Sequence, residues 1–390
     1  MRAGLVLLCL AYVLSQFFRA FLAVLSGPLE RDIGTTPDDL AFASGLWFLV
    51  FAAMQIPVGW SLDRIGPRRT AAALLLVGGG GGAAIFALAS APLHVSLAMA
   101  LIGAGCSPVL MSSFYIFARE FPPARFATLA AVMLGVGSVG NLVAAWPMAW
   151  AAETVGWRAA LWGLAGLSAA VAAGIAALVR DPGAVTGEAR GSLLDLLGMP
   201  ALWAILPLMF VAYAPSAALR GLWAGPYLRD VFALDTGQVG QATLVMGLAM
   251  IAGTFAYGPL DRVFRTRKWV VFGGNLVAAL ALGALILWPD RSLVLSVALL
   301  ALVGFAGASF PVIVAHGRAF IPPHLAGRGV TLLNLFGIGG VGVAQFASGP
   351  LHAAASAQGA LAGHVAIFTL FAGALALGLA LYLFSRDSLD

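Results

Sequence analysis

Apolar residues along this chain run in blocks of roughly twenty, separated by short charged or Pro/Gly-rich breaks. A helix of about twenty residues spans ~30 Å of hydrocarbon. Twelve such blocks occur, centred near residues 15, 50, 79, 106, 138, 169, 214, 248, 279, 305, 340 and 374, and each predicts a membrane-spanning helix. The most polar stretch, Arg180-Asp-Pro-Gly through Asp195, falls between the sixth and seventh. It predicts a six-helix bundle over residues 1–180, a cytoplasmic linker over 181–199 and a second bundle over 200–390.

Composition sharpens this picture. Hydrophobic residues are 61% of the chain and charged ones 9%, with a mean hydropathy of +0.98. No soluble domain has this balance. A net charge of +5 would suggest nucleic acid in a soluble protein. Here the positive-inside rule accounts for it. With the N-terminus inside, fifteen of the 21 basic residues fall on the cytoplasmic side, four outside, and two within the membrane. The expected topology is a multi-pass protein of the bacterial inner membrane, both termini cytoplasmic, with lipid as its surroundings and no nucleic-acid partner. Arg2 followed by an apolar run imitates a signal peptide, but no small-x-small site follows, so the run is taken as the first span. Cys9 and Cys106 both lie in apolar segments, which gives no disulfide framework.

The two halves repeat. AYVLSQFFRAFLA from Ala11 aligns with AYAPSAALRGLWA from Ala212, so Tyr12, Ser15 and Arg19 match Tyr213, Ser216 and Arg220 at an offset of 201. Further matches at offsets of 198 to 202 include Asp63-Arg64 with Asp261-Arg262, and Gly135-x-Gly137-x-x-Gly140 with Gly337-x-Gly339-x-x-Gly342. The glycine runs follow no strand of a βαβ unit, so they read as close helix packing rather than a dinucleotide site. Spacings of three, four and seven place each Tyr/Ser/Arg trio on one helix face. Charge near the bilayer centre costs at least ~2.5–3.5 kcal/mol and tends to mark function. All 16 acidic residues can be placed at helix ends or in loops, so neither arginine has an evident carboxylate partner. A guanidinium in that setting suits an incoming anion, held through its bidentate fork. Snorkelling to the interface, or bonding of helix carbonyls, are the plainer uses of the same arginines. The candidate substrate site is therefore Arg19 and Arg220, with Tyr12, Ser15, Tyr213 and Ser216 as a polar cradle, Gln16 and Asn141 as further cavity groups, and Trp223 with Phe18 as walls.

The loop Gly59-Trp-Ser-Leu-Asp63-Arg64-Ile-Gly66-Pro-Arg68-Arg69 resembles the signature loop of the major facilitator superfamily. The second copy keeps Asp261-Arg262 but has Phe264 where a glycine is expected. The resemblance implies an all-α integral membrane fold of twelve helices in two pseudo-symmetric six-helix bundles, with alternating access about a central cavity. It assigns Gly59, Asp63, Arg64, Gly66, Arg68 and Arg69 to gating. Arginines on the first and seventh helices also resemble the organophosphate/anion antiporter branch, which clamps phosphate between them. Met99 stands where many drug/proton antiporters carry an arginine, and no carboxylate is placed in the cavity as in sugar and peptide symporters. Met246-x-x-x-Met250 is similar to half of the motif of bacterial copper importers, with Asn275 nearby in place of the companion ligands. The expectation is a monomeric transporter of a small anionic solute, with no enzyme activity, cofactor or bound metal. An importer of Cu(I) or of a riboflavin-like vitamin, and a non-transporting membrane sensor, are the alternatives. The five histidines fall at span ends or in loops, without metal spacing.

Overall fold

The structure is a computed structural model that describes residues 2–121, 123–182, 196–322 and 326–388. The side chain of Asp63 lies outside that description, as do several within 118–131 and 326–331. Helices account for nearly all the described chain, and their order follows the apolar blocks. In the first half they are α1 (Arg2–Phe17 and Leu22–Ile33), α2 (Pro37–Ala53 and Gln55–Arg64), α3 (Pro67–Ala87), α4 (Pro92–Glu120), α5 (Pro123–Val143 and Trp146–Ala151) and α6 (Trp157–Leu178). The second half holds α7 (Pro200–Phe232), α8 (Thr236–Phe264), α9 (Lys268–Leu287), α10 (Leu293–Gly307 and Phe310–Arg318), α11 (Ala326–Ser356) and α12 (Ala360–Tyr382). By length and composition alone, residues 132–178 form one apolar stretch of 47 residues. That is twice what a crossing needs, and Gly156, at φ +84°, breaks it between α5 and α6.

The chain divides into two compact units, Met1–Thr186 with Thr236–Gln241, and Gly187–Asp235 with Ala242–Asp390. Within each unit the helices pair alike. The first helix packs on the fourth, fifth and sixth (α1 on α4, α5 and α6; α7 on α10, α11 and α12), and the third packs on the fourth and sixth. The arginine-bearing helices α1 and α7 are thus inner members of their bundles. Large side chains such as Phe255, Leu280 and Val294 instead point outward. That is the arrangement expected when lipid, not water, is the surrounding solvent. Trp60, Trp203, Trp269 and Trp288 are exposed near helix ends, as an interfacial aromatic belt requires.

Small residues permit the tight crossings. A Cβ on Gly140 would lie 2.0 Å from the Val13 carbonyl oxygen of α1, and one on Gly340 would lie 1.8 Å from that of Phe210 in α7. Gly137 likewise abuts the Tyr12 ring, and Gly337 abuts Phe310. Gly137, Gly140, Gly337 and Gly340 therefore act in helix packing, whereas Gly135 and Gly339 meet nothing within 4 Å. Gly137 and Gly140 are matched by Gly337 and Gly340 at an offset of 200, which differs from the offset of 202 read from the triple-glycine alignment.

Candidate functional site

In the N-terminal unit, α1 is bent by 56° between Phe17 and Leu22, and Arg19 sits in that break. Irregular backbone at membrane depth is tolerated only where protein or a water-filled cavity surrounds it. The guanidinium carbon of Arg19 lies 5.3 Å from the Trp47 ring centre and 4.9 Å from that of Phe51, both on α2. These two rings are themselves stacked, 5.1 Å apart. Arg19 forms no ion pair among the described residues. Its Nε and the Trp47 Nε1 are both buried donors without a hydrogen-bond acceptor there. Gln16 donates from Nε2 to the Tyr12 hydroxyl at 3.1 Å, while its own Oε1 is buried and unmatched. Ser15 is buried against Cys106 of α4. Asn141 directly follows the Gly140 crossing and is half-buried. Tyr12, Ser15, Gln16 and Arg19 thus share the inner side of α1, and Phe18 is fully buried beside them.

In the C-terminal unit, Arg220 lies in a π-helical turn, Leu219–Trp223, within α7. Such turns occur frequently at functional sites. Arg220 is buried, with 3% of its surface exposed. A Cβ on Gly247 of α8 would lie 3.2 Å from both its Nε and its Nη2, so the guanidinium lies against bare backbone. Tyr213 packs its ring 5.2 Å from Phe310, and Ser216 donates to the Tyr213 carbonyl at 3.1 Å. Trp223 is buried, its Nε1 donating to Ser348 Oγ at 2.9 Å, and it forms a wall toward α11.

The signature loop closes one end of the N-terminal unit. Gly66 has φ +98°, and a Cβ there would lie 2.8 Å from the Asp181 carboxylate. That carboxylate accepts from the Arg68 backbone N–H at 2.8 Å and pairs with Arg68 Nε at 3.5 Å. Asp181 therefore sits at the N-terminus of α3, where a negative charge is favoured. Arg64 and Arg69 are exposed, and the missing Cβ of Gly59 faces open space. The second unit has the same device. Asp387 accepts from the Thr266 hydroxyl and from the backbone N–H groups of Arg267 and Lys268, at 3.2 and 3.0 Å. Asp261 pairs with Arg267 Nε at 3.3 Å. Where the loop has lost its glycine, Arg265 carries the positive φ, at +52°. Neither capping carboxylate is visible from sequence spacing, because each lies more than a hundred residues from the helix it caps.

Met246 and Met250 both seat their Cγ atoms on Gly304 of α10, about 3 Å from where a Cβ would be, which is a packing role. Asn275 is buried and donates to the Val271 carbonyl and to Ser309 Oγ. Among the described residues no group of three His, Cys, Asp or Glu has metal-binding geometry. His324 lies outside the described residues.

The chain matches the family model described as Major Facilitator Superfamily over residues 8–223. A putative metabolite transport protein, NicT, of Pseudomonas putida is 29% identical over 119 residues, which is 30% of this chain and 27% of that protein. A bacterial homologue of the human lysosomal transporter Spinster, in an inward-facing and unoccupied conformation, superposes with a TM-score of 0.79 at 19% identity, covering 99% of this chain and 98% of that one. A D-xylose–proton symporter superposes with a TM-score of 0.78 at 14% identity, covering 98% and 97%. These likenesses establish the fold, and the family match establishes the class: the chain belongs to the major facilitator superfamily and is a multi-pass membrane transporter.

Proposed function

We propose that this transporter carries a small anionic solute by alternating access, in a secondary active or facilitative mode, with Arg19 and Arg220 as the two cationic groups of one binding site. The observation that carries the reading is Arg19. Its charge is half-buried in a helix break, held over two aromatic faces, with no carboxylate partner among the described residues and with a second orphaned donor on Trp47 beside it. Cation–π contact holds a guanidinium in place without neutralising it, so the charge stays available for an anion. Buried donors left unmatched cost ~1–3 kcal/mol each, a cost an anionic ligand would relieve. The repeat then supports Arg220, at the matched position of α7, as the second cationic group. Tyr12, Ser15, Gln16, Tyr213 and Ser216 supply neutral hydrogen-bonding groups around the two charges, with Asn141 and Trp223 at their margins. Gly59, Asp63, Arg64, Gly66, Arg68 and Arg69 belong to the gate. The excess of basic loops supports an inner-membrane topology with both termini cytoplasmic, and the protein works as a monomer.

A thermal-shift screen of purified protein against inorganic phosphate and a panel of small mono- and dicarboxylates finds the anion, because a ligand that binds the folded state stabilises it. Arg19→Lys and Arg220→Lys should then each weaken that anion's binding 10- to 100-fold by titration calorimetry, from loss of charge-assisted bonds worth ~1.5–3 kcal/mol. The double variant should lose less than the sum, because both arginines serve one ligand. Unchanged affinity in both single variants overturns the reading.

A further inference from the structure

At the end of α7 that follows Arg220, the chain reads Arg229-Asp230. His364, at the start of α12, meets Asp230 with Nε2 at 3.2 Å from Oδ2, while Arg229 Nε lies 3.3 Å from Oδ1. The His364 side chain is 1% exposed and that of Asp230 is 26% exposed, so Asp230 is the part of the pair that meets the surface. Behind His364 stands His352 of α11, with ring centres 4.9 Å apart. His352 in turn lies 4.7 Å from the Trp223 ring, three residues along from Arg220. The Nε2 of His352 and the hydroxyl of Ser356 are buried polar atoms without a hydrogen-bond partner among the described residues. Both flank Gly363, where a Cβ would lie 2.9 Å from the imidazole nitrogen and 2.1 Å from the hydroxyl oxygen. The glycine lets α12 pack closely against the His352 imidazole, where any side chain would collide with it.

The N-terminal unit has the same latch with a different chemistry. Arg31-Asp32 ends α1 as Arg229-Asp230 ends α7, at an offset of 198. Asp32 accepts from Trp157 Nε1 at 2.7 Å and pairs with Arg158 at 3.4 Å, at the start of α6. In the N-terminal unit the opposing helix offers the carboxylate an indole and a permanent cation. In the C-terminal unit Asp230 keeps its neighbour Arg229, and the opposing helix offers an imidazole, the side chain whose charge ordinarily changes near neutral pH, backed by a second imidazole.

We propose that Asp230, His364 and His352 form a proton-binding site at this end of the C-terminal unit, whose occupancy is transmitted through Trp223 to the segment of α7 that carries Arg220. The inference stands independently of the anion reading. Asp230 is the entry. The contact between His364 Nε2 and the Asp230 carboxylate is one seat for a proton. The His352 ring, centred 4.9 Å from that of His364, is the second, and two positive rings at that distance repel one another. Among the described residues, charged and titratable groups facing the cluster include Arg229 beside Asp230, Tyr227 edge-on to His364 at 5.5 Å, and Asp290 near Tyr227. The Tyr227 hydroxyl is committed to the Pro289 carbonyl and to Ser296 Oγ, so it holds the ring in place rather than relaying the proton.

The test is NMR of carbon-13-labelled histidine in the full-length protein in detergent, titrated over roughly pH 8 to 3, with His352→Gln and His364→Gln assigning the two signals. Two separate, coupled steps are expected. Removal of either ring should move the step of the other by roughly one pH unit, and Asp230→Asn should move that of His364. A ring that keeps one protonation state throughout, or a step that ignores loss of its neighbour, overturns the proposal. Should the glutamine variants not fold, His364→Arg copies the fixed cation of the other unit. Trp223 emission, taken as wild type minus Trp223→Phe, should then fall on acidification in the parent and stay flat in His364→Arg. A flat parent signal also overturns the proposal.

Discussion

Arg19 and Arg220 occupy matched positions of the repeat, yet the two units hold them by different means. Arg19 lies in an open break of α1 and rests on the faces of Trp47 and Phe51. Arg220 lies in a π turn of α7 that keeps the helix continuous, and rests on Gly247. Trp47 and Gly247 are 200 residues apart, within the offsets of the repeat, so the aromatic platform of one unit corresponds to bare backbone in the other. A charge on an aromatic face is fixed in direction and keeps its donors on the far side. A charge against glycine backbone can lie there only because no side chain fills the space. Duplication thus preserved the charge and its helix, and the means of holding it diverged.

The comparison breaks most severely where the units agree. Gly140→Ala and Gly340→Ala each place a Cβ about 2 Å from a neighbouring carbonyl, and helix backbones cannot yield as a flexible side chain would. Each should cost about 3 kcal/mol or more, beyond the usual 1–3 kcal/mol of overpacking, read as a large drop in thermal unfolding temperature. Near-equal losses in the two variants would confirm a shared crossing, and a silent variant in either half would break the equivalence. Where the units differ, effects should be smaller and unequal. Trp47→Leu removes a cation–π contact worth about 0.5–2 kcal/mol and should weaken anion binding several-fold in calorimetry. Gly247→Ala should act on the same affinity through steric displacement of Arg220, so adding Arg220→Lys should remove most of its effect. Independent effects of the two would show that Gly247 does not position Arg220.

Two smaller effects sharpen the contrast between the signature loop and its degraded copy. Arg265→Gly should stabilise the protein by roughly 0.5–1 kcal/mol, because glycine adopts a positive φ without the Cβ penalty that arginine bears. Gly66→Ala should do the reverse. Asp387 gives the smallest signal. Burial alone would raise its pKa, but hydrogen bonds from Thr266, Lys268 and Arg267, and nearby His316, outweigh this and hold it below the ordinary carboxylate value. Its contribution is therefore present above the unfolded-state value near ~4 and is lost as pH falls through the lower folded value. In thermal melts, the gap between wild type and Asp387→Asn should be flat above about pH 5 and close under more acid conditions.

Much of this architecture is legible in the chain because membrane helices obey a one-dimensional rule: about twenty apolar residues between polar breaks. The stripe Tyr12, Ser15, Arg19 and its copy could be found for the same reason, since helical spacing is local. The break at Arg19 was not legible, because Phe18 to Phe21 contain neither proline nor glycine. The latch from Asp230 to His364 spans 134 residues. Only tertiary packing unites those groups, so histidines scattered at span ends carried no visible pattern. The same holds for Trp47, whose orphaned nitrogen matters only once α1 and α2 are in place.

The clasp formed by Asp181 and its counterpart Asp387 bears on how such a protein could have arisen. In each half the chain leaves its sixth helix and sends a carboxylate back to the start of its third. A gene encoding only the six helices, cut at the last apolar residue, would lack this bond; one extended by a handful of codons would include it. Each half thus carries its own fastening just beyond its sixth helix, and a half that ended at its last apolar residue would lose it.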